Sequence, residues 1–220
     1  RIHNSRQIAT SLQMARRMGF ENISLDLIFG LPGETLDMWM ESLASVMALG
    51  PDHISTYNLV IEEGTRLHEE LEAGLIEPIS QELDLEMYTK ARALLESAGY
   101  HQYEISNFAK EGKECRHNLV YWRNKEYLGI GSGAHSYFNG YRFSNLPGIN
   151  GYIDGVRRGT YVAHRERIEE VLAMWETIFL GLRLTGEGVD YALFEGRFAR
   201  SLEEVYGPVI ERLEGGRILS

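Results

Sequence analysis

The 220-residue sequence predicts an α/β fold built on parallel strands. Three observations carry this expectation. Segments with helical apolar spacing alternate with short apolar runs, which is the order of a parallel sheet with right-handed crossovers. Glycines close the helical segments. The apolar runs recur every ~30–45 residues, as βα units do when the last loop is enlarged.

The elements follow in order. From Ser5 to Met18, the residues Ile8, Leu12, Ala15 and Met18 fall on one helical face, and Gly19 supplies the stop. Asn22 to Phe29 is rich in Ile and Leu and ends at Gly30, which reads as a buried strand. Leu36, Trp39, Met40, Leu43, Val46 and Met47 mark a second helix, halted by Gly50-Pro51. His53 to Val60 is a second strand. Gln81 to Ala98 places Leu85, Tyr88, Ala91, Leu94 and Leu95 on one face before Gly99, and Tyr100 to Ser106 is a third strand. Three such units do not close a barrel alone. An open doubly wound sheet and the latter half of a (β/α) barrel both fit.

After Asn107 the texture changes. Phe108 to Phe143 is dense in Gly, Tyr, Phe and Trp, which predicts short strands and tight turns. Arg165 to Leu184 predicts a long amphipathic helix through Ile168, Val171, Leu172, Trp175, Phe179 and Leu182. Ser201-Leu202-Glu203-Glu204 is a capping box opening another helix. Val189 to Ser220 then reads as a small helical module, with Gly215-Gly216 turning into a wing strand. The expected divisions are 1–107 for the βα units, 108–160 for the aromatic and glycine-rich region, and 161–220 for the helical module.

Composition excludes several classes. Hydrophobic residues make up 44% and charged residues 25%, the profile of a soluble globular protein. Lys+Arg number 22 against 32 Asp+Glu, a net charge of −10, so a nucleic-acid backbone is a poor partner. No apolar run approaches the ~18–20 residues of a membrane span. The start, RIHNSRQIAT, lacks the apolar stretch of a signal peptide. One cysteine, Cys115, excludes an internal disulfide and a multi-thiolate metal site in this chain, and a reducing cytoplasm fits. The start without Met and the glycine turn near the end lead us to expect a piece of a longer protein.

Four places could carry chemistry. In Ile23-Ser24-Leu25-Asp26-Leu27-Ile28, alternation puts Ser24, Asp26 and Ile28 on the face opposite the apolar one, toward a cleft or lumen. A carboxylate buried there must be paired or bound to something; a structural ion pair and a ligand contact both satisfy it. The turn Gly30-Leu31-Pro32-Gly33-Glu34-Thr35 lies at the functional edge of a βα sheet, though its glycine spacing matches neither a phosphate loop nor a dinucleotide fingerprint. Arg116-His117-Asn118-Leu119-Val120-Tyr121-Trp122-Arg123 gathers an imidazole, an amide, two large aromatics and two guanidinium groups. The imidazole could ligate heme iron, the arginines could meet propionates and the rings could stack, or the segment is a strand with core aromatics. Gly129 to Ser136 would let backbone lie against a ligand with His135 projecting, or form a tight bend.

The segments Leu25 to Thr35, Ile54-Ser55-Thr56-Tyr57-Asn58-Leu59 and Glu62-Glu63-Gly64-Thr65 together resemble the radical SAM proteins related to oxygen-independent coproporphyrinogen III dehydrogenase. His117-Asn118-x-x-Tyr121-Trp122 and Gly131-x-Gly133-Ala134-His135-Ser136 narrow the resemblance to the heme-chaperone branch. It covers nearly the whole chain. The resemblance implies a partial (β/α)6 barrel, of which this chain holds the C-terminal half, followed by a mixed, largely helical, winged-helix-like C-terminal domain. It implies S-adenosylmethionine beside a 4Fe–4S cluster, heme as cargo and a heme acceptor protein as partner. By position, Asp26 would contact S-adenosylmethionine through its ribose hydroxyls, Arg1 would suit its methionyl carboxylate, and Val60 would meet it through backbone. His135 falls where the dehydrogenases carry an aliphatic residue. His117 would be the heme ligand, with Asn118, Tyr121 and Trp122 around it. The three cluster cysteines of a CxxxCxxC motif are absent, and one thiolate holds no cubane, so this chain alone is expected not to cleave S-adenosylmethionine. Two other activities fit less of the pattern: oxidative decarboxylation of porphyrinogen propionates, and an unrelated βα enzyme using Asp26 as acid or base.

Overall fold

The computed structural model describes residues 4–216, and the chain divides into two compact units, Arg1–Cys115 and Arg116–Ser220. Each is described by itself.

The first unit begins with α1 (Ser5–Arg17), whose N-terminus is closed by a reciprocal pair: the Asn4 side chain accepts from the Gln7 N–H, and the Gln7 side chain accepts from the Asn4 N–H. Next come β1 (Ser24–Phe29), α2 (Leu36–Ala48), β2 (His53–Asn58), α3 (Arg66–Glu72) and α4 (Gln81–Ser97), then β3 (His101–Glu104) and β4 (Asn107–Ala109). Thr35 caps α2, accepting from the Met38 N–H at 3.3 Å, as its place after the glycine turn predicts.

The sheet order is β1-β2-β4-β3. β1 and β2 pair in parallel from Ser24↔His53 to Phe29↔Asn58. The third strand departs from expectation. β3 runs in the same direction as β1 and β2, but β4 stands between it and β2, antiparallel to both. The reason is the tight turn at Ile105-Ser106. The Glu104 carboxylate accepts the Ser106 N–H at 2.9 Å and also binds the Asn107 amide, and so short a connection permits only an antiparallel return.

One face of this sheet packs on the helices. Phe29, Trp39, Leu43, Ile54, Met87, Ala91, Leu95, Tyr100 and Phe108 form its core. Trp39 stacks on Phe29 at 5.2 Å between centroids and donates its indole N–H to the Met87 carbonyl at 3.1 Å, so its one polar atom is satisfied inside the core.

The second unit contains α5 (Arg116–Trp122), β5 (His135–Phe138), β6 (Tyr141–Asn145), α6 (Ile149–Arg158), β7 (Val162–Arg167), α7 (Glu170–Gly181), α8 (Tyr191–Phe198) and α9 (Leu202–Gly215). β5, β6 and β7 form an antiparallel meander. Two expectations are corrected. Phe108 to Phe143, expected to hold strands and turns, also holds the helix α5, and a further helix, α6, follows it. The helix expected from Arg165 starts at Glu170, because Val162–Arg167 is drawn into the sheet by pairing with β6. Ile168 is the first residue beyond that strand to turn inward, packing with Tyr137 and Ala173. The capping box at Ser201 forms as expected, with Glu204 N–H on Ser201 Oγ at 3.1 Å and Ser201 N–H on the Glu204 carboxylate at 3.0 Å. Met174, Phe194 and Leu202 join α7, α8 and α9 in a small core. Gly215 ends α9 and Gly216 lies in the expected turn, while the expected wing strand lies outside the described residues. Among the described residues, no helix is long and apolar enough to cross a membrane.

Candidate functional site

In the first unit the alternation along β1 is as the sequence predicts. Leu27 and Phe29 face the helical core, while Ser24, Asp26 and Ile28 lie on the other face. That face is open at β1, which corrects one expectation: Asp26 is exposed, so its carboxylate bears no burial cost and needs no buried countercharge. Ser24 Oγ donates to it at 3.3 Å.

The register lines up polar residues beside it. Asp26 pairs with Ser55, Ser55 with Asn107 and Asn107 with Glu104, making a polar row across all four strands. Ser55, Asn107 and Glu104 are buried. One row away, Ser24 pairs with His53. The His53 Nδ1 lies 2.8 Å from Ser24 Oγ, and its Nε2 lies 2.8 Å from the Tyr103 hydroxyl. Burial lowers the His53 pKa from 6.5, more than the charges of Asp26, Glu104 and Glu114 raise it. Sequence reading places Ser24 on the Asp26 face but misses His53 and Tyr103. Period-2 alternation marks His53 and Ser55 as sharing a face, but only the strand register reveals that they adjoin Asp26.

The turn after β1 is organised internally. Gly30 has φ +79°, and its N–H and that of Leu31 both donate to the Glu34 carboxylate, at 2.8 and 3.1 Å. A Cβ at Gly30 would meet Ile79 and Asn58 only at ordinary contact distance, so the positive φ is what calls for glycine here. Val60, in the segment after β2, is 69% exposed. Arg1 lies outside the described residues.

In the second unit the His117–Trp122 block is a helix, α5, not a strand. Its aromatics do not fill a sheet core. Helical spacing sets His117 and Tyr121 one turn apart on the same side, their rings edge to face at 4.8 Å. Tyr121 in turn meets Tyr127 edge to face at 4.5 Å. His117 is exposed, whereas Asn118, Tyr121 and Trp122 are half-buried. The Arg183 guanidinium covers the Trp122 ring at 4.3 Å from its centroid. A cavity of about 300 Å³ adjoins Tyr121 and Trp122, with Lys125, Tyr127 and Tyr137 also on its wall. Of the two arginines flanking the block, Arg123 is committed to the Glu187 carboxylate, while Arg116 is exposed.

The glycine run before β5 serves the chain itself. A Cβ on Gly129 would collide with the His135 carbonyl, so the close backbone approach is made by the chain's own strand. Ser136 Oγ accepts the Gly129 N–H at 2.9 Å, and the Asn145 amide donates to the Gly129 and Gly131 carbonyls. His135 stands exposed at the start of β5. Asp26 and Val60 thus belong to the first unit, and His117, Asn118, Tyr121, Trp122 and His135 to the second. Among the described residues, no group of three or more His, Cys, Asp or Glu side chains could hold a metal ion. With Cys115 as the sole thiol, the residues present do not fit an iron–sulfur cluster.

A mixed βα layer with a polar row that opens at Asp26, and a unit bearing an exposed histidine on an aromatic helix, define a class when set beside known proteins. Residues 162–220 match the HemN C-terminal domain. The fold matches a solved structure described as "Coproporphyrinogen III oxidase (HemN) from Escherichia coli is a Radical SAM enzyme", with a TM-score of 0.74, 19% identity, and coverage of 96% of this chain and 51% of that one. The chain belongs to this radical SAM family of coproporphyrinogen III oxidases and their HemW relatives. Within it, the sequence is 40% identical to the protein named heme chaperone HemW of Bacillus subtilis, over 97% of this chain and 56% of that protein. It is 34% identical to heme chaperone HemW of Lactococcus lactis, over 100% of this chain and 57% of that protein. It is also 32% identical to the mitochondrial radical S-adenosyl methionine domain-containing protein 1 of Danio rerio, over 100% of this chain and 52% of that one. The chain therefore spans about half the length of the curated relatives it matches.

Proposed function

We propose that this chain is the heme-carrying part of a radical SAM-type heme chaperone, which binds heme and passes it to an acceptor protein. The observation that carries this is the exposed His117 imidazole on α5, braced by the Tyr121 ring, in a chain 40% identical to a heme chaperone. A neutral imidazole nitrogen is a donor to heme iron. The Tyr121 ring stands against the His117 ring and limits its rotation, so the donor nitrogen keeps its direction. One exposed axial donor, with no second histidine on the same short helix, is a holding site that an acceptor's own ligands can displace. Arg116 is exposed next to His117 and suits a propionate.

S-adenosylmethionine is proposed as the second ligand of the parent protein. The exposed Asp26 carboxylate offers two acceptor oxygens on the open face of the sheet, which suits the paired hydroxyls of a ribose. The Val60 backbone and Arg1 are proposed to share its binding. The cluster is assigned to parts of the relatives that this chain does not span, and no step is drawn through it. A cytoplasmic setting is proposed from the single thiol.

Titration of the chain with hemin tests the reading. A saturable Soret shift at one heme per chain is expected for wild type, with loss of that shift in His117→Ala. An unchanged spectrum in His117→Ala removes His117 as ligand. Anaerobic decarboxylation of coproporphyrinogen III by the whole protein replaces the chaperone reading with the oxidase one.

A further inference from the structure

We propose that Ser24 and His53 are positioning residues for the Asp26 carboxylate, fixing its oxygens for a ribose diol. This rests on the reading of Asp26 as an S-adenosylmethionine contact and adds the groups that aim it.

Asp26 is exposed on an edge strand, where a short acidic side chain would otherwise rotate between staggered positions. Ser24, two residues earlier on the same face, donates to Asp26 Oδ1 at 3.3 Å. A serine hydroxyl has one hydrogen, and an ionised carboxylate only accepts. Once Ser24 gives its hydrogen to Asp26, the His53 nitrogen 2.8 Å from Ser24 Oγ must be a donor. His53 therefore carries its hydrogen on Nδ1, and Nε2 accepts from the Tyr103 hydroxyl at 2.8 Å. Donation runs one way, from Tyr103 through His53 and Ser24 to Asp26. His53 is only 4% exposed, so burial holds the imidazole in its single-hydrogen form and in one orientation. The opposite tautomer would take the Ser24 hydrogen and leave Asp26 unanchored.

Nitrogen-15 spectra of the His53 ring in the 220-residue chain test the relay without any ligand. The expected signature is a protonated Nδ1 and a bare Nε2. Ser24→Ala, a change at an exposed position, is expected to shift the Asp26 carboxyl carbon resonance. His53→Gln is expected to shift it as well. His53→Asn, whose side-chain amide can donate near the Nδ1 position, is expected to leave it near wild type, which a purely structural role for the ring would not do. A protonated Nε2, or an Asp26 resonance indifferent to Ser24→Ala, overturns the inference.

Calorimetry of the whole protein with S-adenosylmethionine then separates the two claims. About tenfold weaker binding is expected in Ser24→Ala and in Asp26→Ala, the scale of one hydrogen bond to a charged group. Weakening in Asp26→Ala with none in Ser24→Ala or His53→Gln overturns the positioning role alone. No binding by wild type, or unchanged affinity in Asp26→Ala, overturns the underlying reading of Asp26, whatever the nitrogen spectra show.

Discussion

Arg142 Nη2 lies 2.8 Å from both carboxylate oxygens of Glu176, tying β6 to α7 within the second unit. The Glu176 side chain is 13% exposed and that of Arg142 34%, so solvent screens the pair only in part. Glu166 approaches the same guanidinium at 3.7 Å and is the weaker partner. Glu176→Ala should cost about 1–2 kcal/mol, more than a surface pair and less than a fully buried one. Urea unfolding of the variant beside wild type measures this, and an unchanged midpoint would show the pair to be neutral.

The core of the first unit gives a steeper expectation. Leu43 is fully buried among Trp39, Ile54 and Leu95. Leu43→Ala removes apolar contact and leaves a cavity that a sheet and two helices cannot close, so a loss of about 2–5 kcal/mol follows. Thermal denaturation monitored by Trp39 fluorescence, in a background with Trp122→Phe and Trp175→Phe, reads the transition of this unit.

Gly129→Ala should be destabilising although it adds only a methyl group. The new Cβ would strike the His135 carbonyl, a backbone atom fixed by the β5–β6 pairing. A loss of about 1–3 kcal/mol is expected for such overpacking. Hydrogen exchange should rise at the Gly129 and Tyr137 amides, because both are bonded across this bend. Unchanged exchange there would mean that the bend relaxes freely.

Stability should fall as pH drops below about 6.5. His53 resists protonation in the folded state because burial lowers its pKa from 6.5. The unfolded imidazole takes up a proton first, so in the window below 6.5 the unfolded state binds more protons and is favoured. The dependence levels off once folded His53 is also protonated. Asp52 contributes further down. Burial opposes its ionisation, but bonds from Arg16 and the Ile23 N–H, with the charges of Arg16 and Lys110, outweigh that and lower its pKa from 3.8. Its contribution is present above that value and disappears as pH falls through the lowered one. Urea midpoints from about pH 8 to pH 5.5 isolate the histidine effect, and His53→Asn should flatten it.

Much of the first unit was legible because helix period, glycine stops and strand alternation agree there. The Asp26 face could be read from Ser24-Leu25-Asp26-Leu27 alone. β4 could not, since Asn107-Phe108-Ala109 is too short to show a period and its placement depends on the Glu104 carboxylate bridging a turn. α5 was read as a strand because seven residues rich in aromatics give no clear spacing. The start of α7 is not legible because the charged residues Arg165 to Arg167 suit a helix's first turn in sequence while pairing with β6 in space. Neighbours of Asp26 required the register between β1 and β2, which local sequence does not encode.

The Glu34 carboxylate that closes the turn after β1 also bears on whether a phosphate could bind this end of the sheet. In many βα proteins the amides at such a strand end receive a phosphate. Here the Gly30 and Leu31 N–H groups are already taken by an internal anion. An incoming phosphate would have to displace that carboxylate from both amides. A single glutamate, five residues past the end of β1, thus holds the amides that a phosphate would need at this strand end.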